Sequence, residues 1–355
     1  MKTVSRIISS ASIALALTLL LAFAKSSAFV FIPLWQPFSA QLLETIGSVT
    51  GSVAFPVWEV IAALLLVWFV ATFIHALRRL KLLRWLSGVL FGVSVGALLF
   101  AFVWGAGLFL PGKTEGIVSV REYTLPELRE ASLHYGREAG ALASLAPRDT
   151  DGTLKLPSWD ELSDEANASF ERLSALHPEF ITTPTPVKPL TPGPLFRHLG
   201  TQSVFIPFTA EPSVNPDAYP AELPTQFCRA LAHRFGAYAV SDAEFCAYLA
   251  CRQSSDPAFR YSGSFAALKS CYHALRAEDE ALAAELWNTL PPLLQADLLA
   301  ADAHEEPYRG AVQDAAQKVS DAYLSALEEQ GARSYGRFSD ALIALYRSEN
   351  QKTAN

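Results

Sequence analysis

The chain has 355 residues, 51% of them hydrophobic, and its 35 acidic residues outnumber its 28 lysines and arginines. The charge is unevenly spread: residues 1–111 hold seven Lys/Arg and two acids, whereas residues 112–355 hold 21 Lys/Arg and 33 acids. An acidic C-terminal part without a basic stripe argues against nucleic acid as a partner. The composition therefore predicts an apolar N-terminal part followed by one globular domain of ordinary size.

Three apolar stretches are long enough to cross a bilayer, which takes about 20 apolar residues. They lie at about residues 7–24, 55–77 and 85–110. The first stretch also fits a signal peptide, because Lys2 and Arg6 precede an apolar run that ends in small residues. We favour a retained helix, and both alternatives place the segment after it outside the cytoplasm.

The densest basic cluster, RRLKLLR from Arg78 to Arg84, lies between the second and third stretches. Positive residues next to membrane spans face the cytoplasm, so this cluster is predicted to be a cytoplasmic turn. The third stretch then leaves the membrane on the opposite side. The sequence therefore predicts a membrane domain, residues 1–111, embedded in the lipid bilayer, and an extracytoplasmic domain, residues 112–355.

The domain after the third stretch is predicted to be mainly α-helical. Helices are expected at about 123–146, with Thr124 as N-cap, and at about 159–176, with Ser158 as N-cap. Residues 181–195 include the stretch ITTPTPVKPLTPGP, with five prolines. Because proline fixes φ and lacks an amide donor, this segment is predicted to be an extended connector.

A single short strand is predicted within residues 203–215, where Pro207 favours a sheet edge or a bulge. From residue 223 onward the apolar spacing predicts helices almost throughout. One of them opens with an apparent capping box, in which Ser241 is the N-cap and Glu244 follows three residues later.

The four cysteines fall in one stretch of the C-terminal domain, and none forms a C-x-x-C pair: Cys228, Cys246, Cys251 and Cys271. A thiolate zinc site is therefore poorly supported. The pattern favours buried thiols, and one disulfide between helices remains an alternative outside the cytoplasm.

The stretch PTQFCRALAHRFG, from Pro224 to Gly236, has the apolar spacing of a buried helix. Arg229 and His233 lie four residues apart on another face of it. In zinc peptidases these positions read H-E-x-x-H, where the two histidines bind zinc and the glutamate activates water. Here they read R-A-L-A-H, which removes one histidine and the glutamate.

The chain resembles a family of bacterial membrane proteins known as domain of unknown function 3810, thought to be zincin-like. The resemblance covers nearly the whole chain through the order and spacing of several stretches: FIPLWQPFS, WGAGLFLPG, FIPFTAEPSVN, AEFCAYLAC, RYSGSF and AYLSALEEQGARSYG. It implies a helical zincin-like domain held at the outer face of the bacterial cytoplasmic membrane by three transmembrane helices.

The resemblance also implies where a metal site would lie. The first histidine falls on Arg229, the general base on Ala230, the second histidine on His233 and the third ligand on Asp242. Arginine offers no lone pair to a metal, and alanine cannot take a proton from water. We therefore expect no catalytic residue and no metal or other cofactor here, unless zinc binds a reorganised site.

With the metal lost, Asp242 would be left without a partner, so we predict an ion pair between Arg229 and Asp242 with His233 beside it. The alternative is that Arg229 faces solvent and Asp242 stabilises the N-terminus of its own helix.

The predicted function is a catalytically inactive, membrane-anchored pseudo-peptidase that binds peptide or envelope material. The residues expected to line its cleft are Phe208, Glu211, Asn215 and Tyr261. Two alternatives are an active metallohydrolase with a reorganised site and a purely structural envelope protein.

Overall fold

A computed structural model describes residues 2–180, 182–329 and 338–353 of the chain. Within these ranges the protein is mainly helical, with three short strands and two short 3-10 helices. The chain divides into two compact units. The first comprises the residues up to Leu110 together with Ile206–Glu211, and the second comprises Pro111–Phe205, Pro212–Glu329 and the described C-terminal helix.

The first unit is built from four long helices: α1 (Lys2–Ser26), α2 (Ala28–Gly51), α3 (Val57–Arg78) and α4 (Leu82–Val103). Among the described helices, three have the length and hydropathy to cross a membrane, over Thr3–Ser26, Val57–Arg78 and Leu82–Val103. This confirms the three apolar spans as candidates. The third is shorter than expected, because α4 ends at Val103 and the chain continues in a 3-10 helix, Gly105–Phe109.

Helix α2 was not expected, because residues 25–54 carry no long apolar run and α2 contains Pro33 and Pro37. Proline normally disrupts a helix interior, since it removes a donor and clashes with the preceding turn. Contacts with α4 offset this cost. Trp35 Nε1 donates to the carbonyl of Phe102 at 2.6 Å, and the Ser39 hydroxyl donates to the carbonyl of Val103.

Helices α1 and α4 pack side by side and run in the same direction. Near their N-terminal ends, Arg6 Nη1 donates to the carbonyl of Arg84 at 3.4 Å. Helix α3 enters the short turn that leads into α4 and therefore runs the opposite way. The first unit thus has the up-down-up arrangement that three membrane crossings would require.

The second unit begins with α5 (Lys113–Ile117), α6 (Leu125–Ala143), α7 (Trp159–Leu176) and α8 (Gly193–His198). A small sheet contains β1 (Lys188–Pro189), β2 (Ser203–Ile206) and β3 (Glu211–Val214) in the order β1-β3-β2, with β1 parallel to β3. The remaining helices are α9 (Leu223–Arg234), α10 (Val240–Arg252), α11 (Pro257–Glu278), α12 (Glu280–Thr289), α13 (Pro292–Glu305), α14 (Ala311–Glu329) and α15 (Phe338–Thr353).

Helix α11 lies at the centre of this unit and packs against α6, α9, α10, α12 and α15. Its side chains Tyr261 and Phe265 are fully buried, as are Tyr135 of α6 and Tyr248 of α10. The four cysteines are free, buried thiols. Two of them, Cys228 and Cys251, bring their sulfur atoms to 3.7 Å at the contact of α9 and α10.

Local signals placed several helix starts correctly. Capping boxes form at Thr124 with Glu127 and at Ser158 with Glu161. The prediction that Ser241 caps its helix was wrong, because α10 already begins at Val240 and Ser241 lies inside its first turn. The N-cap position is instead occupied by Ala239, which has an extended backbone conformation and ends the loop after α9.

The predicted single strand is two strands joined by a turn. Residues 203–206 and 211–214 form β2 and β3, and Ala210 in the turn adopts a positive φ of 52°. Strand β2, which precedes Pro207, lies at the sheet edge, as a nearby proline favours.

The Pro-rich connector is held along α7. The side-chain amide of Asn167 donates to the carbonyl of Thr185 and accepts from the amide of Thr185, both at 2.9 Å. Trp159 Nε1 donates to the carbonyl of Val187 at 2.7 Å. Side chains of α7 therefore satisfy backbone groups that an extended, proline-containing segment cannot pair within itself.

Candidate functional site

Helix α9 forms where the sequence indicated, and a glycine closes its C-terminal end. Phe227 and Leu231 are fully buried in the core. Gly236 has a φ of 90°, and the amide of Ala237 donates to the carbonyl of Ala232 at 2.9 Å. This geometry is a Schellman motif, in which a left-handed glycine closes the helix and turns the chain towards the next element. Helix α10 then packs against α9.

Arg229 lies within a small polar group between α9, β2 and α10. Its Nη1 is 3.4 Å from the hydroxyl of Ser203 and 3.4 Å from Gln226 Oε1. Its Nε lies 4.0 Å from Glu244 Oε1, and the two side chains are 19% and 36% exposed. The acidic neighbour of Arg229 is therefore Glu244, at the outer limit of a direct ion pair.

Asp242 is turned elsewhere. It is fully buried, and its carboxylate accepts from the amide of Thr114 at 2.8 Å, from the hydroxyl of Thr114 at 2.7 Å and from the amide of Lys113 at 3.1 Å. Burial raises the pKa of Asp242, although these hydrogen bonds and the Lys113 charge act to lower it. The carboxylate thus caps α5.

The predicted ion pair between Arg229 and Asp242 is therefore wrong. Asp242 and Glu244 are two residues apart on one helix, and side chains at that spacing do not share a face. When Glu244 faces Arg229, Asp242 must face another neighbour. The first turn of α5 supplies it with three donors, so it needs no guanidinium.

His233 keeps one property of a metal-binding histidine. Its Nδ1 lies 2.7 Å from the carbonyl of Ala237, so Nδ1 carries the proton and the lone pair of the neutral ring is on Nε2. In metal sites, a hydrogen bond of this kind from the nitrogen that does not bind the metal orients the histidine ring. The pKa of His233 is lowered to about 3, mainly by burial and secondly by the Arg229 charge, whereas the bond to Ala237 acts to raise it.

The other positions do not fit zinc. Ala230, in the general-base position, is fully buried in the core. Arg229 brings a permanent cation with no acceptor atom to the first ligand position. Within the part of the chain that the structure describes, no three His, Cys, Asp or Glu side chains are grouped as metal ligands. The donor set at α9 and α10 thus provides one histidine, while the Asp242 carboxylate bonds to the first turn of α5.

Two residues predicted to line a cleft belong to the first unit. Phe208 is 50% exposed, and its ring lies 6.3 Å from that of Phe100. Glu211 is buried and accepts from the amides of Val57 and Trp58, each at 2.9 Å. The carboxylate of Glu211 therefore caps the N-terminus of α3, where the helix dipole favours a negative charge.

The other two predicted cleft residues are fully buried in the second unit. Asn215 donates to the carbonyl of Gly193 at 2.9 Å and accepts from the amide of Asp217 at 3.0 Å. The Tyr261 hydroxyl donates to the carboxylate of Asp297. Polar groups committed in this way stabilise the fold and do not line an open cleft.

Tyr261 belongs to a buried network that the sequence did not reveal. At its centre is Asp297, which pairs with Arg148 at 2.8 Å and accepts from the Tyr219 hydroxyl at 3.2 Å. The guanidinium of Arg148 also lies 5.0 Å from the centre of the Tyr261 ring. The members are too far apart in sequence for a local pattern to connect them, and no short motif would have identified the network.

A family model described as "Protein of unknown function (DUF3810)" matches residues 37–343. The match covers most of the chain, which therefore belongs to this family. No curated protein and no solved structure matches the chain. The family description names neither a fold class nor a chemistry, so the zincin-like character stays a prediction.

Proposed function

We propose that this member of the DUF3810 family is a membrane-anchored pseudo-peptidase of the bacterial cell envelope, whose site at α9 and α10 binds peptide or envelope material without hydrolysing it. The three apolar helices serve as the anchor, and the helical second unit lies outside the cytoplasmic membrane. The observation that carries the proposal is the identity and setting of Arg229 and Ala230: a cation near Glu244 and a buried methyl group occupy the positions that a zinc peptidase needs for a ligand and a base.

The chemistry left at the site suits recognition. A partly exposed guanidinium presents several donors, and the hydroxyl of Ser203 and the amide of Gln226 lie beside it. Its contacts of 3.4 Å and 4.0 Å are long for charged groups, which prefer about 2.7–2.9 Å. A carboxylate of a bound peptide would satisfy the guanidinium better than these neighbours do.

The test for lost catalysis measures bound zinc in the full-length chain purified in detergent. We expect far less than one zinc per chain in the wild type, and a higher zinc content in the combined Arg229→His and Ala230→Glu variant. A matched control, His198→Ala, should not differ from the wild type. One zinc per wild-type chain that is lost in His233→Ala would support the alternative of an active metallohydrolase and overturn the proposal.

The test for binding uses tetra-alanine with a free C-terminal carboxylate and the same peptide as its amide. We expect the free acid to bind the wild type more tightly, and Arg229→Gln to abolish this preference. Equal or absent binding of both peptides, with folding intact, would favour the purely structural alternative.

A further inference from the structure

One end of the first unit carries a cluster of five positive side chains: Arg6, Arg78, Arg79, Lys81 and Arg84. Arg6 lies near the N-terminus of α1, Arg78 is the last residue of α3, and Arg84 lies in the first turn of α4. The contact between Arg6 and Arg84 places these ends together. We call this group the basic end.

Within the described residues, the basic end has no negative partner. Residues 1–110 contain two acids, Glu44 within α2 and Glu59 in the first turn of α3, the turn farthest from Arg78 along that helix. Among the described residues, no ion pair involves any of the five cations. Arg6 donates a hydrogen bond to a backbone carbonyl, that of Arg84, which carries no net charge. Five uncompensated charges close together repel one another, so this end is suited to external anions.

One of the five cations is positioned by the packing. Arg6 Nη1 lies 3.2 Å from where a Cβ at Gly88 would be, so its guanidinium lies over the bare backbone of α4. Ser10 and Ser87 beside it are buried and bond to backbone carbonyls of their own helices, which lets α1 and α4 approach closely. A Cβ at position 88 would shift the guanidinium by a few tenths of an ångström, and a larger side chain would displace it.

Exposed apolar side chains lie beside these charges. Leu80 in the turn between α3 and α4 is 92% exposed, and Leu83 in the first turn of α4 is 79% exposed. Leu80 also holds a positive φ of 51°, a conformation that a leucine rarely adopts. A soluble anion would leave these leucines in water, whereas a phospholipid offers a phosphate for the arginines and acyl chains for the leucines.

We propose that the basic end is a binding site for the headgroup of an anionic phospholipid, with Arg6 as the positioned donor and Arg78, Arg79, Lys81 and Arg84 as the surrounding charge. The site rests on the membrane anchoring of the proposed function and adds a lipid class to it. Basic groups between membrane helices and next to them recognise anionic lipids in this way, at roughly 1 kcal/mol for each charge near the surface.

The experiment counts the lipids retained by the full-length chain, using native mass spectrometry after reconstitution with phosphatidylglycerol and phosphatidylcholine. We expect the wild type to retain phosphatidylglycerol in preference. Arg6→Gln should weaken this preference about fivefold, as loss of one such charge predicts, and Arg6→Lys should restore part of it. Gly88→Leu, which keeps every charge, should also weaken it because it displaces Arg6.

Lys25→Gln, at the other end of α1, is the matched control and should leave the preference unchanged. Equal retention of both lipids would overturn the lipid site, and so would displacement of phosphatidylglycerol by inorganic phosphate. Flotation of the same protein with phosphatidylcholine vesicles separates the two proposals. A chain that floats without lipid preference refutes the site alone, whereas a chain that does not float refutes the anchoring as well.

Discussion

The carboxylate of Asp242 accepts hydrogen bonds from both the amide and the hydroxyl of Thr114, at 2.8 and 2.7 Å. A third bond, from the amide of Lys113, completes a cap on α5. The side chain that would have been a metal ligand by resemblance thereby holds the start of the second unit against α10. Asp242 therefore has a structural role, distinct from that of the partly exposed polar group around Arg229.

Replacing Asp242 with Asn should destabilise the second unit. Asparagine keeps one acceptor oxygen, and its amide group would face the donor of Lys113, which leaves a buried group unpaired at a cost of about 1–3 kcal/mol. Urea unfolding of the purified chain measures this loss. Asp160→Asn on the exposed face of α7 is the control, and an equal effect of both substitutions would contradict the capping role.

The loss in Asp242→Asn should also depend on pH. Burial raises the folded pKa of Asp242 above its ordinary value of 3.8, so the folded state binds the proton more tightly than the unfolded chain. The stability that Asp242 contributes is therefore complete below pH 3.8 and falls as the pH rises through the raised pKa. The difference in the free energy of unfolding between the wild type and Asp242→Asn should therefore be largest in acid.

A double-mutant cycle should identify the partner of Arg229. Arg229→Gln and Glu244→Gln should show a small favourable coupling, below about 1 kcal/mol, because the pair is partly exposed and its atoms are 4.0 Å apart. Arg229→Gln and Asp242→Asn should show none. The free energies of unfolding of the single and double variants provide the measurement, and the reverse ranking of the two couplings would restore the pairing that the sequence suggested.

His233 should make stability fall in mild acid. Burial and the Arg229 charge lower its folded pKa from 6.5 to about 3. A base with a lowered pKa contributes stability that is complete above its unfolded pKa and is lost as the pH falls towards the folded pKa. Unfolding between pH 6.5 and 3 should therefore be less steeply pH-dependent in His233→Gln than in the wild type. His198→Gln, on α8, should keep the wild-type slope, and two parallel curves for His233→Gln and the wild type would refute the role.

Local signals in the sequence were sufficient where one helix turn contains the whole motif. The N-caps of α6 and α7, Thr124 and Ser158, are of this kind. Helix α2 was missed because its two prolines are offset by bonds to α4, more than sixty residues away. The acidic neighbour of Arg229 could not be predicted from the sequence for a similar reason. Helix α10 carries two acids, Asp242 and Glu244, and Asp242 faces away from Arg229 because it bonds to Thr114, which is distant in sequence.

Glu211 should matter for the first unit although it lies about 150 residues from α3 in sequence. Its buried carboxylate accepts from the amides of Val57 and Trp58, and a glutamine would lose the charge and one of the two acceptors. We expect Glu211→Gln to cost about 1–2 kcal/mol, as loss of a charged helix cap does. Thermal unfolding in detergent, followed by tryptophan fluorescence, tests this. Glu44→Gln, an exposed change on α2, is the control, and equal melting temperatures for the wild type and Glu211→Gln would refute the cap.

The helix directions make a topology experiment decisive. Because α1 and α4 run in parallel and α2 bonds to the C-terminal end of α4, Ser52 and Gly112 should lie on one side of the membrane and Leu82 on the other. The basic end predicts that Leu82 is on the cytoplasmic side. Alkaline phosphatase fused after Ser52 or Gly112 should therefore be active, and green fluorescent protein fused near Leu82 should fluoresce.

Neutralising Arg78, Arg79, Lys81 and Arg84 together should weaken this orientation, whereas Lys25→Gln should not. Opposite results for Ser52 and Gly112 would contradict the up-down-up arrangement, and a uniform reversal would place the second unit in the cytoplasm.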